Sequence, residues 1–328
     1  MTAARYLLVF CLGFCLLIAL AAADAWAQFG TPTRNGYYVC AYIGAKIAHG
    51  STIPSPKLVI VAGSNALAGI DAERLGDKLS VRVFNFGLSA SMGPGFQTFE
   101  GAKILRPGDA VLMPFEYLAY DYNTPRDALV DTVYSCGTDY WHSLSWTERI
   151  FFVLAVRPER IVDSYLFRSH PQAMQATAAL AAADVGPYGQ RPGGNFPPHE
   201  VAVEAGMTNQ PLEVHLDPAS AGTAAIARFV SWAHAHRIVV FATWPNTIEF
   251  PGDRSGFSKI AAFYRNLGVD VIGTPQQAML PSALMGGRFY HPNRKGMAVR
   301  TARLIEALQV DPAFRRWRAA SNGEASRH

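Results

Sequence analysis

Charge is scarce in this sequence: Asp, Glu, Lys and Arg make up 16% of its 328 residues, against roughly 25% in ordinary soluble domains. The formal net charge of +4 is modest and spread along the chain. That argues against the concentrated basic stripe by which proteins bind nucleic acid, and no nucleic acid is expected as a partner. Cysteine is scarcer still, with four in all, and their spacing fits no metal-ligand pattern. There is no HExxH zinc helix, no phosphate loop and no dinucleotide glycine pattern, so neither metal nor cofactor is expected. No internal repeat is found. What the chain has in quantity is apolar surface, at 50% of residues. This is enough to bury the core of one large domain or two ordinary ones.

The longest apolar run lies at the start. Arg5 precedes Tyr6 to Ala23, and Ala25-Trp26-Ala27 places small residues at the minus-three and minus-one positions of a signal-peptidase site. Residues 1–27 therefore read as a signal peptide or a membrane anchor, because about eighteen apolar residues is also near the minimum for a spanning helix. No cysteine stands where lipoprotein cleavage would require one, since Cys11 and Cys15 fall inside the run. Either way the chain is addressed to export, with a periplasmic or other extracytoplasmic location, anchored to the inner membrane if the segment is kept. Cys40 and Cys136 remain beyond it; an oxidising compartment permits them to pair, and two free thiols are the alternative.

Residues 28–56 read as a lead-in segment punctuated by Pro and Gly. From Lys57 the pattern becomes regular. Lys57 to Ala62 (KLVIVA) is a short apolar run rich in β-branched residues, which suits a strand buried on both faces of a parallel sheet. Gly63-Ser64-Asn65 ends it, and a helical stretch with Leu67, Ile70 and Leu75 follows, which Ser64 or Asn65 can cap. Val81 to Phe86 is the second strand, closed by Gly87, and Ala110 to Phe115 is the third, leading into Glu116. Strands alternating with helices at this spacing predict an α/β fold with a three-layer, doubly wound parallel sheet.

Residues 118–217 break the rhythm and read as a helical and loop insertion after the third strand. Helices are expected at 125–135 and 146–158, and the Pro/Gly stretch Val185 to Pro198 as an extended loop. The segment around Trp141, Trp146, Phe151 and Phe152 is expected to form either a cap over the site or a small second core. The sheet pattern resumes with a helix at 218–236, strands at Ile238 to Thr243 and Asp270 to Gly273, and a last helix opened by His291-Pro292-Asn293. Met297, Leu304, Ile305 and Leu308 give that helix an inward stripe. Residues 311–328 read as a polar tail, whose Arg315, Arg316 and Arg318 suit a solvated end or a membrane-surface contact.

Serine attack on an acyl carbon needs an exposed hydroxyl, a base for its proton and backbone donors for the developing oxyanion. Ser64 stands at a strand-to-helix turn, with its amide at a helix N-terminus. Gly87, without a side chain, lets a substrate approach its amide. His291, beyond all the strands and just before the last helix, is placed to reach back over the sheet edge as the base.

These pieces resemble the SGNH, or GDSL-like, hydrolase superfamily, in particular its exported acyltransferase and esterase branch acting on secreted polysaccharides. The matching blocks are Val61-Ala62-Gly63-Ser64-Asn65 with Gly69-Ile70-Asp71, Phe84-Asn85-Phe86-Gly87-Leu88-Ser89, Met113-Pro114-Phe115-Glu116-Tyr117, and Tyr290-His291-Pro292-Asn293 with Gly296. They span residues 57–308 in the family's order, within a domain read as 57–310. The resemblance implies Ser64 as nucleophile, Gly87 as an oxyanion donor and His291 as general base.

Two places depart from the family. Gly287 and Arg288 stand where an Asp usually orients the histidine, and Glu116 stands where an Asn usually serves the oxyanion. Glu116 is expected to point away, to bind His291 or Arg288, or to be protonated by burial. The site is then a Ser-His dyad, a triad with its acid from elsewhere such as Glu116, or a degenerate site that only binds. Asn65, Asn123, Trp244 and Asn246 are the residues expected to meet substrate, Trp244 by stacking on a sugar ring unless it packs in the core. The expected function is an esterase or O-acyltransferase working on acyl, most simply acetyl, esters of a secreted or cell-surface polysaccharide. Its expected partners are that substrate and a membrane acyltransferase or polysaccharide synthesis and export complex. The alternative is a non-catalytic accessory protein that binds glycan.

Overall fold

The computed structural model describes residues 3–191, 214–250 and 255–325. Its first elements are α1 (Ala3–Ala27), α2 (Arg34–Thr52), β1 (Lys57–Ile60), α3 (Ser64–Gly69), α4 (Ala72–Leu79), β2 (Arg82–Asn85), α5 (Gly93–Ala102) and β3 (Ala110–Met113). Five helices follow: α6 (Asp127–Cys136), α7 (Thr138–Ser143), α8 (Trp146–Leu154), α9 (Pro158–Arg168) and α10 (Pro171–Ala183). Then come α11 (Ala221–Ala235), β4 (Val239–Thr243), β5 (Thr247–Ile248), α12 (Ser255–Asn266), β6 (Asp270–Ile272), the single turn α13 (Pro275–Ala278) and β7 (Met279–Leu280). The chain closes with β8 (Met285–Arg288), β9 (His291–Pro292), α14 (Arg294–Val310) and α15 (Pro312–Ala325). Of the loop expected at Val185 to Pro198, residues 192–198 lie outside the described residues.

The fold is mixed α/β, and it divides into two compact units, one of Met1–Ala41 with Pro125–Ala181 and one of Tyr42–Thr124 with Ala182–His328. The first is helical and has its own aromatic core. Phe29 stacks on Tyr134 with ring centres 4.4 Å apart and meets the edge of Trp141 at 4.8 Å, and Trp141 in turn meets Phe152 at 6.1 Å. Cys40 and Cys136 are joined in a disulfide that ties α2 to α6. Nearly buried Arg160 is ion-paired with Asp131 at 3.1 Å and donates to the side chain of Gln28 and the carbonyl of Thr31, both at 2.9 Å. Each buried charge here has a partner, as burial requires.

The second unit holds a five-stranded sheet in the order β2-β1-β3-β4-β6, parallel at every pairing. Every residue of β1 and β3 is buried, which is why both read as continuous apolar runs rather than alternating ones. The chain winds from β1 outward to β2, then returns to place β3 on the other side of β1. The crevice where connections diverge in opposite directions therefore opens at the carboxyl ends of β1 and β3. At the opposite end of the sheet, fully buried Lys57 pairs with Asp109 at 3.3 Å. Asp109 also accepts the amides of Lys57 and Arg106, which locks the entry to β3 onto β1.

The C-terminal segment differs from the polar tail expected from its charges. It forms α15, which buries Phe314 and Trp317 against Phe241 of β4, with Trp317 also donating to the carbonyl of Gly108. The lead-in at 28–56 is mostly the helix α2. The expected second strand ends at Asn85, and the helices expected at 125–135 and 146–158 run over Asp127–Cys136 and Trp146–Leu154.

Candidate active site

Ser64 is the first residue of α3, four positions beyond the last residue of β1, so the crevice between β1 and β3 receives its side chain. Gly63, in extended conformation, precedes it as the N-cap and has no side chain of its own to cap the helix. The first amides of a helix have no intrahelical acceptor. The carboxylate of Glu116, just past β3, supplies one for the residues on either side of Ser64: Oε1 accepts the amide of Asn65 at 2.9 Å and Oε2 accepts the amide of Gly63 at 3.2 Å. A side chain at 63 would not fit, because its first carbon would lie 2.4 Å from both carboxylate oxygens and 2.7 Å from Cα of Ala90.

Burial pushes the Glu116 carboxyl above its ordinary range, and the amides of Asn65 and Gly63 pull it partly back. Its oxygens meet neither His291 nor Arg288. Glu116 thus holds the serine turn from behind, a geometry in which it does not serve as the acid of a triad.

His291 arrives from the far end of the chain. The antiparallel pair β8 and β9 sets Arg288 opposite His291 and Met285 opposite Pro292, with a break in register between the two pairs where Gly287, inside β8, adopts φ +79°. A left-handed residue of this kind favours glycine. Beyond it Asn293 caps α14 by accepting the amide of Gly296 at 2.9 Å, and its own amide donates to the carbonyl of Leu284. A side chain at 296 would meet the Leu284 carbonyl at 2.0 Å, so the close approach of helix and hairpin needs glycine there. With the hairpin so fixed, Nε2 of His291 lies 2.9 Å from Oγ of Ser64. Burial and the charge of Arg288 lower the imidazole to about 4. It is therefore neutral at pH 7 and can take a proton.

Among the described residues no carboxylate is hydrogen-bonded to His291. Arg288, in the place of an orienting acid, acts in the opposite sense and disfavours the imidazolium.

The chain matches no protein-family model and no curated protein. What the site can do follows from its own atoms: a hydroxyl on a fixed turn, a neutral base against it, and the amide of Ser64 at the start of a helix.

The other residues expected at the site make the following contacts within the fold. The amide of Gly87 donates to the side chain of Asn85 at 2.9 Å, and the missing side chain leaves room for the amide of Leu67 and the carbonyl of Gly63. Buried Asn65 donates to the carbonyl of Pro114 at 2.8 Å, binding the serine turn to the end of β3. Asn246 is fully buried and donates to the carbonyl of Tyr290, the residue before His291. Trp244 is buried against Phe257 and donates to the carbonyl of Gly273 at 3.1 Å, so its face is not open for stacking. Asn123 accepts the amide of Ala221 at the start of α11.

Asn85 was not singled out for the site, and it braces α3 by donating to the carbonyls of Ala66 at 2.8 Å and Ile70 at 3.2 Å. Its signal was in the sequence: one amide inside the apolar run Val83-Phe84-Asn85-Phe86.

Proposed function

We propose that this chain is an exported serine esterase or O-acyltransferase of the SGNH type, with that superfamily's three-layer architecture. Its substrate is an acyl ester, most simply acetyl, of a secreted or cell-surface polysaccharide. The observation that carries this reading is the 2.9 Å contact between Ser64 Oγ and His291 Nε2 across 227 residues of sequence. Sheet order and the placement of both groups at the crevice support it.

In the proposed reaction Ser64 Oγ attacks the acyl carbon while its proton passes to His291 Nε2, and the carbonyl oxygen becomes an oxyanion beside the amide of Ser64. The ester C–O bond then breaks, and the leaving alcohol takes the proton from His291. The acyl-serine is resolved by water or a glycan hydroxyl, whose proton goes to His291 and returns to Ser64. Export and the resemblance to polysaccharide-modifying relatives argue for a glycan acceptor or donor, by analogy of fold and site.

A second reading has its own observation. Among the described residues His291 has no acid partner, and it is held near 4, which leaves the imidazolium poorly stabilised and favours a glycan-binding accessory protein that retains the fold. Reaction with a fluorophosphonate probe separates the two. Labelling of the wild type that disappears in Ser64→Ala supports the enzyme; a folded, unlabelled wild type supports the binder.

A further inference from the structure

The helical unit carries an apolar surface that its own core does not use. Apart from α1, the large apolar side chains exposed among the described residues lie on α8, α9 and α10, with Val239 and Val310 the exceptions. On α8, Trp146 (79% exposed), Ile150 and Leu154 (76%) recur every four residues and so line one face, with Phe151 beside them. Tyr165 and Leu166 add a second stripe on α9. Scattered apolar residues need no explanation, but a contiguous patch of aromatic and aliphatic groups marks an interaction site.

The same unit shows what covers it. α1 carries a 22-residue apolar stretch, Ala3–Asp24, of mean hydropathy 2.6 with nothing packed on it, long enough to cross a hydrocarbon core of about 30 Å. Its end is built into the helical unit. Gln28 is fully buried, its side chain accepting from Arg160 at 2.9 Å and from Ser164 Oγ at 3.1 Å, and its amide donates to the carbonyl of Asp24. Phe29 is inserted between Tyr134 and Trp141, and Gly30 donates to the carbonyl of Tyr134. Cutting after Ala27 would create a positive α-amino group at a buried residue whose side chain is bonded to a guanidinium, a like-charge arrangement that burial penalises.

We infer that α1 is retained as a membrane anchor and that α8 and α9 lie in the headgroup region of the bilayer, their apolar stripes at the acyl boundary. Trp146 and Tyr165 are the side-chain types that settle at this depth. From α8 to α10, Glu148, Glu159 and Asp163 face Arg149 and Arg168, while Arg157 is ion-paired with Asp127 and buried Arg160 with Asp131, so no excess of positive charge is left on this face. The contact is therefore apolar in origin and does not need anionic lipid.

The test uses the full chain carrying Cys11→Ser and Cys15→Ser, with a fluorophore on Leu154→Cys, or on Val310→Cys as the exposed control in the other unit. It is reconstituted in phosphatidylcholine vesicles with and without acyl-chain spin labels. We expect at least a twofold quenching at position 154 and none at 310, and a mass of the membrane-extracted wild type that includes residues 1–27. Equal, solvent-like signals at both positions would overturn the surface contact, including the case in which a protein partner rather than lipid covers the patch in cells. A product beginning at Gln28 would overturn the anchor.

Discussion

Glu116 accepts the amide of Asn65 at 2.9 Å, and with the amide of Gly63 it grips the backbone on both sides of Ser64. The carboxylate is 1% exposed and has no cation among these partners. Removing it leaves two buried donors without acceptors, at about 1–3 kcal/mol each. Glu116→Ala should therefore lower unfolding stability in urea by about 2–6 kcal/mol, and Glu116→Gln, which retains one acceptor, by less. Equal stabilities of wild type and Glu116→Ala would show that the grip contributes nothing.

His291→Ala should leave the melting temperature nearly unchanged, because the ring is part-exposed and bonded to Ser64. Turnover of a small acetyl ester should fall by at least about 10²-fold, the usual contribution of a general base. Unchanged turnover would remove His291 from the mechanism.

The pH dependence follows from the lowered imidazole. As pH falls through about 4 the folded state's His291 gains a proton and can no longer accept one from Ser64, so activity should fall on that acid limb. Arg288→Gln removes a charge that opposes the imidazolium, so the limb should move to higher pH, toward the ordinary histidine value. Stability has the same sign. Between about 6.5 and about 4 the unfolded chain binds a proton that the folded chain does not, so this residue's contribution is fully present above 6.5 and is lost as pH falls toward 4. A histidine NMR titration of both proteins checks the shift.

At the other end of the sheet, Asp109→Ala should cost more than Lys57→Met. The first strands a buried ammonium and the amides of Lys57 and Arg106 together, whereas the second leaves Asp109 with both amide donors. Removing one partner of a buried pair costs about 3–5 kcal/mol. Denaturant midpoints in the opposite order would refute this ranking.

How much of this was legible depended on whether a signal was local. β1 and β3 were readable because burial on both faces leaves an uninterrupted apolar run, and Ser64 was readable because the turn follows that run directly. His291 drew notice by its place before α14, which the sequence presented as the last helix. The pairing partner of Glu116 was not legible, since an acid at a strand end carries no mark of which backbone amides will face it. Trp244 and Asn246 looked like ligand contacts by position at a strand end; tertiary packing gave them to the core and to the carbonyl of Tyr290. In α15 three arginines hid Phe314 and Trp317, whose spacing of three is the helical signal the composition masked.

The disulfide between Cys40 and Cys136 joins positions separated by 96 residues, with all of β1 to β3 synthesised between them. At ordinary elongation rates of about 5–20 residues per second, the first thiol waits roughly 5–20 s for its mate. Throughout that interval α2 has no covalent tie to the helix it will hold. The helical unit is thus begun first and finished only after the sheet's opening strands have emerged. A thiol-blocking reagent that reaches the chain during this window can cap Cys40 before its partner exists.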